Sequence, residues 1–301
     1  MVPGTQDGRI EWPTVGLLLA CYGGLALTTT WGAGLWLPLG IALTSVLVTL
    51  FSSLQHEVLH GHPFASRRLN AALVFPAVTL YVPYNRFRDT HLAHHHDEIL
   101  TDPYDDPESN FLDPKAWKRL PRLRRAVLQA NNTLLGRMVM GPMVSIIRLW
   151  SSDFRLIMQG DRAVRDAWLL HAGGVALVVL WLHLTGQMPF WAFALAAYAG
   201  FGILKIRTFL EHQAHDRANG RTVVIEDRGF LAFLFLNNNF HVVHHMHPRT
   251  PWYRLPGLYA ADRARYLTRN GGYCYRSYAE IFRLFLFKAK DPVPHPLMPQ
   301  D

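Results

Sequence analysis

Two long stretches of this chain are apolar and carry no charged side chain. Residues 13–55 and 167–204 contain no Asp, Glu, Lys or Arg. A helix needs roughly 20 apolar residues to cross a membrane, so each stretch has room for two helices and a tight turn. We predict helical hairpins over residues 13–54 and 167–204. Their helices are expected at 13–30, 35–54, 167–185 and 190–204, with uncharged turns around residues 31–34 and 186–189.

Three further apolar segments are weaker. Residues 69–84 are interrupted by Pro76 and Pro83, and residues 134–150 carry Arg137 and Arg148. Both segments are short for a full crossing, so we expect re-entrant or interface-lying helices there. Residues 229–240 are shorter still, and we expect them to be buried against protein.

Charge is distributed so that one side of the predicted bundle is basic. The two short turns are uncharged, and every Lys and Arg lies on the other side. Basic segments flanking spans are typically cytoplasmic. We therefore expect a multi-pass integral protein of the inner cell membrane, with both termini and the histidine-containing segments on the cytoplasmic side.

Composition agrees with this interpretation. Of 301 residues, 50% are hydrophobic and only 17% are charged, whereas about a quarter are charged in a typical soluble domain. This excludes a disordered chain and a fibrous chain. The net charge of +8 indicates membrane topology and anionic lipid, and we expect no nucleic-acid partner. Two cysteines exclude a disulfide framework.

Histidines cluster at three places outside the uncharged stretches. His56 and His60 are four residues apart, a spacing that puts both on one face of a helix. Two further clusters have i, i+3, i+4 spacing; they consist of His91, His94 and His95, and of His241, His244 and His245. Neutral imidazoles that share a face are suited to hold a metal ion. The alternative is a set of solvated histidine-rich turns.

Metal number and type follow from the donor set. Zinc usually closes at four ligands, so eight or nine imidazoles are too many for one ion. Imidazole suits iron, copper and zinc alike. Two ions with one open position fit an oxygen-activating centre, and iron is favoured because it changes oxidation state readily. His212, in the sequence Phe-Leu-Glu-His at residues 209–212, is a further candidate ligand.

These motifs resemble those of the membrane fatty acid desaturase superfamily, which includes hydroxylases and carotenoid ketolases. The resemblance covers roughly residues 15–260: the boxes HxxxH, HxxHH and HxxHH, the FLEH element, the acidic residues 101–107, and the NNNF sequence before the third box. It implies an all-α integral membrane fold with four transmembrane helices as two hairpins, interfacial helices, and a cytosolic helical cap holding a dinuclear metal site.

The resemblance also implies which residues bind metal. We expect one domain over 1–301, with metal-binding segments at 55–133 and 205–256 and a basic C-terminal segment at 257–301. The implied ligands of two iron ions are His56, His60, His91, His94, His95, His212, His241, His244 and His245. Residues expected around these ligands are Glu57, His62, His96, Asp102, Asn237 and Asn238.

The implied activity is oxygen-dependent desaturation of an acyl or lipid chain. The same centre would serve a hydroxylase or ketolase acting on a lipid or terpenoid. A metal transporter is a remote alternative, because transporters place ligands near the bilayer midplane and these clusters lie outside the spans. A separate electron donor of ferredoxin, rubredoxin or cytochrome type is expected. The basic C-terminal segment could dock that donor or face anionic lipid.

Overall fold

The protein is mostly helical. The computed structural model describes residues 10–96 and 98–299. The helices in chain order are α1 (Trp12–Leu27), α2 (Ala33–Leu35), α3 (Leu37–Leu59), α4 (Arg67–Leu73), α5 (Tyr84–His94), α6 (Pro114–Arg119), α7 (Arg122–Ala130), α8 (Leu134–Met158), α9 (Arg162–Thr185), α10 (Phe190–Thr208), α11 (Phe230–Leu234), α12 (His241–Met246), α13 (Leu255–Ala261), α14 (Arg263–Arg269) and α15 (Tyr278–Phe285). Short 3₁₀ helices cover Ala218–Gly220 and Trp252–Arg254, and the strands are β1 (Val224–Ile225) and β2 (Cys274–Tyr275).

Four helical stretches are long and apolar enough to cross a membrane: Trp12–Leu35, Leu37–Leu59, Arg162–Thr185 and Phe190–Thr208. They confirm the all-α fold with four membrane helices. The chain forms two compact units, the first made of Met1–Arg88 and Pro142–Leu204 and the second of Asp89–Gly141 and Lys205–Asp301. The grouping of the whole chain into one domain remains a prediction.

The turn of the first hairpin differs from the prediction. The helix does not stop at residues 31–34, because a π-helical turn at Thr28–Gly32 carries it into α2. The hydroxyls of Thr29 and Thr30 donate to carbonyls one turn earlier, at 2.7 and 2.6 Å. The chain reverses instead at Trp36, which is extended (φ −161°, ψ 107°), and Pro38 lies in the first turn of α3.

The turn of the second hairpin is confirmed. Helix α9 ends at Thr185, and Gly186 caps it with a left-handed backbone (φ 68°). Helix α9 begins earlier than predicted, where the Asp161 carboxylate accepts the backbone N–H of Val164 at 3.0 Å. The absence of charge marks the membrane-crossing part of a helix, and the helix itself continues into polar sequence.

The weaker apolar segments have different outcomes. A helix over residues 69–84 is wrong: α4 ends at Leu73, and the segment up to α5 is irregular. Pro76 and Pro83 prevent a continuous helix there, and the irregular backbone packs on α9 and α10 through Ala77 N–H to Gly174 O (3.2 Å) and Tyr81 Oη–H to Ala194 O (2.7 Å). Residues 134–150 are helical within α8, which is not among the four candidate spans.

The third histidine box rests on a core within the second unit. Val242 and Val243 are fully buried in a cluster with Val224, Phe240 and Leu255. The parallel pair β1–β2 supports this cluster, since Val242 N–H bonds to Val223 O at 3.1 Å beside β1. The apolar residues of the box therefore fix α12, and its histidines project from the opposite side.

Candidate metal centre

The first histidine pair lies in the first unit, at the end of α3. His56 is in the last turn of the helix and is buried, and His60 caps it. Their ring centroids are 4.9 Å apart, and the ring of Phe87 lies 6.5 Å from that of His56. The i, i+4 spacing therefore brings the two imidazoles together, as the sequence predicts.

The second unit brings four histidines from three segments to one point. His94, His212, His241 and His245 each offer a ring nitrogen within 4.8 Å of the others. Nε2 of His212 lies 2.8 Å from Nε2 of His94 and 3.1 Å from Nε2 of His241. His94 and His241 are almost completely buried.

A second set in the same unit consists of His91, His95 and His244. Nε2 of His95 lies 3.0 Å from Nε2 of His91 and 3.2 Å from Nε2 of His244. His91 and His95 come from the second box and His244 from the third. The i, i+3, i+4 spacing thus divides each box between two sets of nitrogens.

The nitrogen-to-nitrogen distances fit metal binding. An imidazole nitrogen is either a donor or an acceptor, so three that face one another cannot all be paired by hydrogen bonds alone. Two nitrogens that both lie about 2.1 Å from one ion are separated by about 3 Å. Nδ1 of His212 is buried and has no hydrogen-bond partner among the described residues, which leaves Nε2 as the nitrogen that this ring directs to the others.

Two carboxylates orient the second box. Oδ1 of Asp106 lies 2.7 Å from Nδ1 of His94, and Oε1 of Glu108 lies 3.1 Å from Nδ1 of His91. A carboxylate on Nδ1 fixes the ring and leaves Nε2 to face a metal. Asp106 is itself held, because its Oδ2 accepts the backbone N–H of Thr101 at 2.9 Å.

Comparison with known proteins agrees with this geometry. The family model described as "Fatty acid desaturase" matches residues 28–277, well over half of the chain. The chain belongs to the fatty acid desaturase family. It is similar to a protein named "Beta-carotene ketolase" from Paracoccus sp. (strain PC1), with 27% identity over 225 residues, covering 71% of this chain and 75% of the relative. This desaturase-family chain is therefore an oxidoreductase of the desaturase and hydroxylase kind, and the resemblance is confirmed.

Some of the residues predicted to surround the histidines of this family member contact them, and others do not. Asn238 accepts toward His241, with Oδ1 3.3 Å from Nδ1. Asn237 instead donates to the carbonyl of Trp252 at 3.2 Å, and Asp102 accepts backbone N–H groups in its own turn. His96 is exposed.

His62 and Glu57 belong to a buried polar group of the first unit. Nδ1 of His62 lies 2.8 Å from Oε1 of Glu11, and its Nε2 lies 3.9 Å from Oε1 of Glu57. Burial lowers the pKa of His62, but the Glu57 charge and the Glu11 hydrogen bond outweigh it and raise the pKa above its ordinary value. His62 therefore lies between two carboxylates, which favour its protonated form.

Sequence reasoning missed three residues of the site. Asp106 and Glu108 lie in an acidic run in which the sequence does not distinguish one carboxylate from another. The structure shows that these two face His94 and His91. Glu211 precedes His212 and forms an ion pair with Arg207 at 2.9 Å. Asn238 donates to Glu211 at 3.0 Å, which links the NNNF sequence to the FLEH element.

The histidines of this site differ in pKa, so that some imidazoles are neutral and one is protonated. Burial, followed by repulsion from neighbouring imidazoles, holds the pKa values of His212 and His241 well below the ordinary value. Burial also lowers the pKa of His94, but Glu108 and Asp106 outweigh it and raise that pKa to about 9. Despite its own burial, the pKa of Glu108 is lowered by His91 and His94. The neutral rings offer lone pairs, and a bound metal ion displaces the proton of His94.

Proposed function

We propose that this chain is an oxygen-dependent, non-haem di-iron oxidoreductase that introduces a double bond into an acyl or lipid chain. The observation that carries the proposal is the pair of Nε2 clusters in the second unit, found in a member of the fatty acid desaturase family. His56 and His60 are proposed to complete the ligand set with the seven histidines of these clusters. We propose that the protein lies in the inner cell membrane, with the centre and termini on the cytoplasmic side.

We propose iron because the chain belongs to the fatty acid desaturase family and because its candidate ligands are imidazole nitrogens, which bind iron. All-nitrogen sites suit iron, copper and zinc, so the ligands alone permit each of them. A bound iron pair supplies the activation of dioxygen for attack on an unactivated C–H bond. Zinc has no such redox chemistry.

The contribution of the protein is to hold and orient the ligands. Asp106 and Glu108 accept from Nδ1 of His94 and His91, so that Nε2 of each ring faces its cluster. Lys290 donates to the backbone carbonyl of His212 and fixes the segment that follows α10. The buried setting excludes water, which protects a strong oxidant from side reactions.

The electron balance requires a second protein. Desaturation removes two hydrogen atoms from the substrate and reduces one dioxygen to two waters, which consumes two further electrons and two protons. These electrons are proposed to come from a separate donor of ferredoxin, rubredoxin or cytochrome type. An acyl or lipid chain reaches the enzyme from the bilayer.

A second candidate is hydroxylation or ketolation of a lipid or terpenoid by the same centre. The similarity to the beta-carotene ketolase favours this candidate, because the aligned region covers most of this chain and most of the relative. In each hydroxylation one oxygen atom enters the product and the other leaves as water, with two electrons and two protons supplied through the donor. A ketone requires two such hydroxylations at the same carbon, followed by loss of water.

The two candidates differ in product mass. The full chain is expressed in cells of defined lipid composition, with a His244→Ala variant as the inactive control, and lipids are analysed by mass spectrometry. A product lighter by two hydrogen atoms supports desaturation, one heavier by an oxygen atom supports hydroxylation, and one that gains an oxygen atom and loses two hydrogen atoms supports ketolation. Iron-loaded, reduced protein that oxidises neither lipids nor added terpenoids refutes the proposal.

A further inference from the structure

Gln55 is a buried amide next to the first histidine box. It precedes His56 in α3, and only 3% of it is exposed. Its side chain makes no hydrogen bond to any residue within 10–96 and 98–299. Buried polar groups are almost always hydrogen-bonded, because leaving one unpaired is costly. Within the described part of the chain, the amide of Gln55 therefore has donors and an acceptor that a ligand could use.

Gln55 faces a pocket inside the first unit. The pocket has a volume of about 100 Å³, and its lining includes Gln55, Thr79, Phe87 and Ala197. Oγ1 of Thr79 is buried and unpartnered among the described residues. Phe87 also packs near His56, so the pocket lies beside the first histidine pair. Gln55 lines a smaller cavity of about 40 Å³ as well.

A larger groove adjoins this pocket within the same unit. It has a volume of about 470 Å³ and an almost entirely apolar lining that includes Ala26, Val78, Trp181 and Phe193. Val78 is next to Thr79 in the chain, and Phe193 is one helical turn before Ala197 on α10, so the linings of groove and pocket are neighbours. Trp181 is 42% exposed on a candidate membrane helix, so the groove lies beside a surface suited to face lipid.

We infer that the groove and pocket bind a membrane-embedded hydrocarbon whose reacting end carries a neutral oxygen, which the Gln55 amide recognises. The inference rests on the proposed function and names its substrate class. The apolar tail lies in the groove, and an alcohol, ketone or ester oxygen a few carbons from the reacting carbon lies in the pocket.

Size and chemistry both fit such a ligand. The pocket volume of about 100 Å³ is several times the roughly 15 Å³ that one water needs, and most of its lining is apolar, so it has room for part of an organic molecule. The pocket lining contains no charged side chain. It therefore suits a neutral oxygen and not a free carboxylate or a phosphate.

Photolabelling tests this assignment without turnover. The full chain is placed in phosphatidylcholine nanodiscs, with no reductant added, and is exposed to a hexadecanol that carries a diazirine near its hydroxyl. A hexadecane with a diazirine at the same carbon is the matched probe. Labelled residues are mapped by peptide mass spectrometry in the wild type, in Gln55→Met and in Ser53→Ala. Ser53 is a buried neighbour on α3 whose hydroxyl bonds to Thr49 O, away from the pocket.

We expect the alcohol to label residues 79–82 and 197–201 of the wild type about fivefold more than the alkane does, the ratio typical of one hydrogen bond. Gln55→Met should remove this preference, and Ser53→Ala should keep it. Equal labelling of the wild type by both probes, or labelling elsewhere, overturns the inference even if the variants do not fold. Since labelling needs no oxidation, this outcome is separate from that of the lipid assay.

Discussion

Nδ1 of His94 donates to Oδ1 of Asp106 across 2.7 Å, and both side chains are buried. The contact joins the second histidine box to an acidic turn twelve residues later. It fixes the ring so that Nε2 points at His212. The orientation of this imidazole therefore depends on a residue outside all three boxes.

Replacing Asp106 tests that dependence. We expect Asp106→Asn to lower metal affinity by roughly 10- to 100-fold, because an amide holds the imidazole less firmly than a carboxylate does. Competition with a chelator, followed by elemental analysis, measures the affinity. Asp102→Asn is the matched control, since the Asp102 carboxylate accepts the backbone N–H groups of Tyr104 and Asp105 in its own turn. Equal metal affinity in Asp106→Asn and the wild type would contradict the role.

The two Nε2 clusters predict loss of both metal and activity in ligand variants. His94→Ala and His244→Ala each remove one nitrogen from a cluster, so we expect each to abolish lipid oxidation and to lower bound iron. His96→Ala alters an exposed histidine of the same box and should leave both quantities unchanged. Full activity with normal iron content in His94→Ala and His244→Ala would refute the ligand assignment.

An ion pair near the third box predicts a pH dependence of stability. Oε1 of Glu226 lies 2.6 Å from Nε of Arg263 and 2.5 Å from the hydroxyl of Tyr259. The Arg263 hydrogen bond, aided by Tyr259, holds the pKa of Glu226 below its usual value despite partial burial. A carboxylate whose pKa is lowered on folding stabilises the protein above its unfolded pKa, and this contribution is lost as the pH falls through the folded pKa.

Glu226→Gln should therefore be less stable than the wild type near neutral pH, and the difference should shrink between about pH 5 and about pH 3. Thermal unfolding of both proteins across this range provides the measurement. A difference that grows as the pH falls would contradict the assigned direction.

The spacing of histidines along the chain predicts which rings meet on one helix, but it does not predict which distant residues contact those rings. The i, i+4 pair His56 and His60 meets as expected, since helix geometry alone sets that distance. Asp106, and not Asp102, faces His94 because the acidic segment folds back so that Asp106 also accepts the backbone N–H of Thr101, and no spacing rule reveals such a turn. The first hairpin turns at Trp36 and not at the predicted residues 31–34, because a π-helical turn that contains three consecutive threonines continues the helix. The hydroxyls of Thr29 and Thr30 bond to backbone carbonyls in this region. Gln55 has no motif at all and is identified only by its burial.

The distribution of basic residues predicts the topology. We expect a tag attached after residue 301 to be cytoplasmic, because basic segments flanking spans stay inside. Protease treatment of intact and of permeabilised cells provides the measurement. Cleavage of the tag from outside intact cells would reject the orientation.

Elemental analysis of the purified full chain, combined with Mössbauer spectroscopy of protein grown on iron-57, tests the central claim most directly. We expect two iron ions per chain in similar nitrogen-rich surroundings, both lost in a variant that lacks His94 and His244. Protein that oxidises lipid with zinc or copper in place of iron, or with fewer than one iron per active chain, would contradict it.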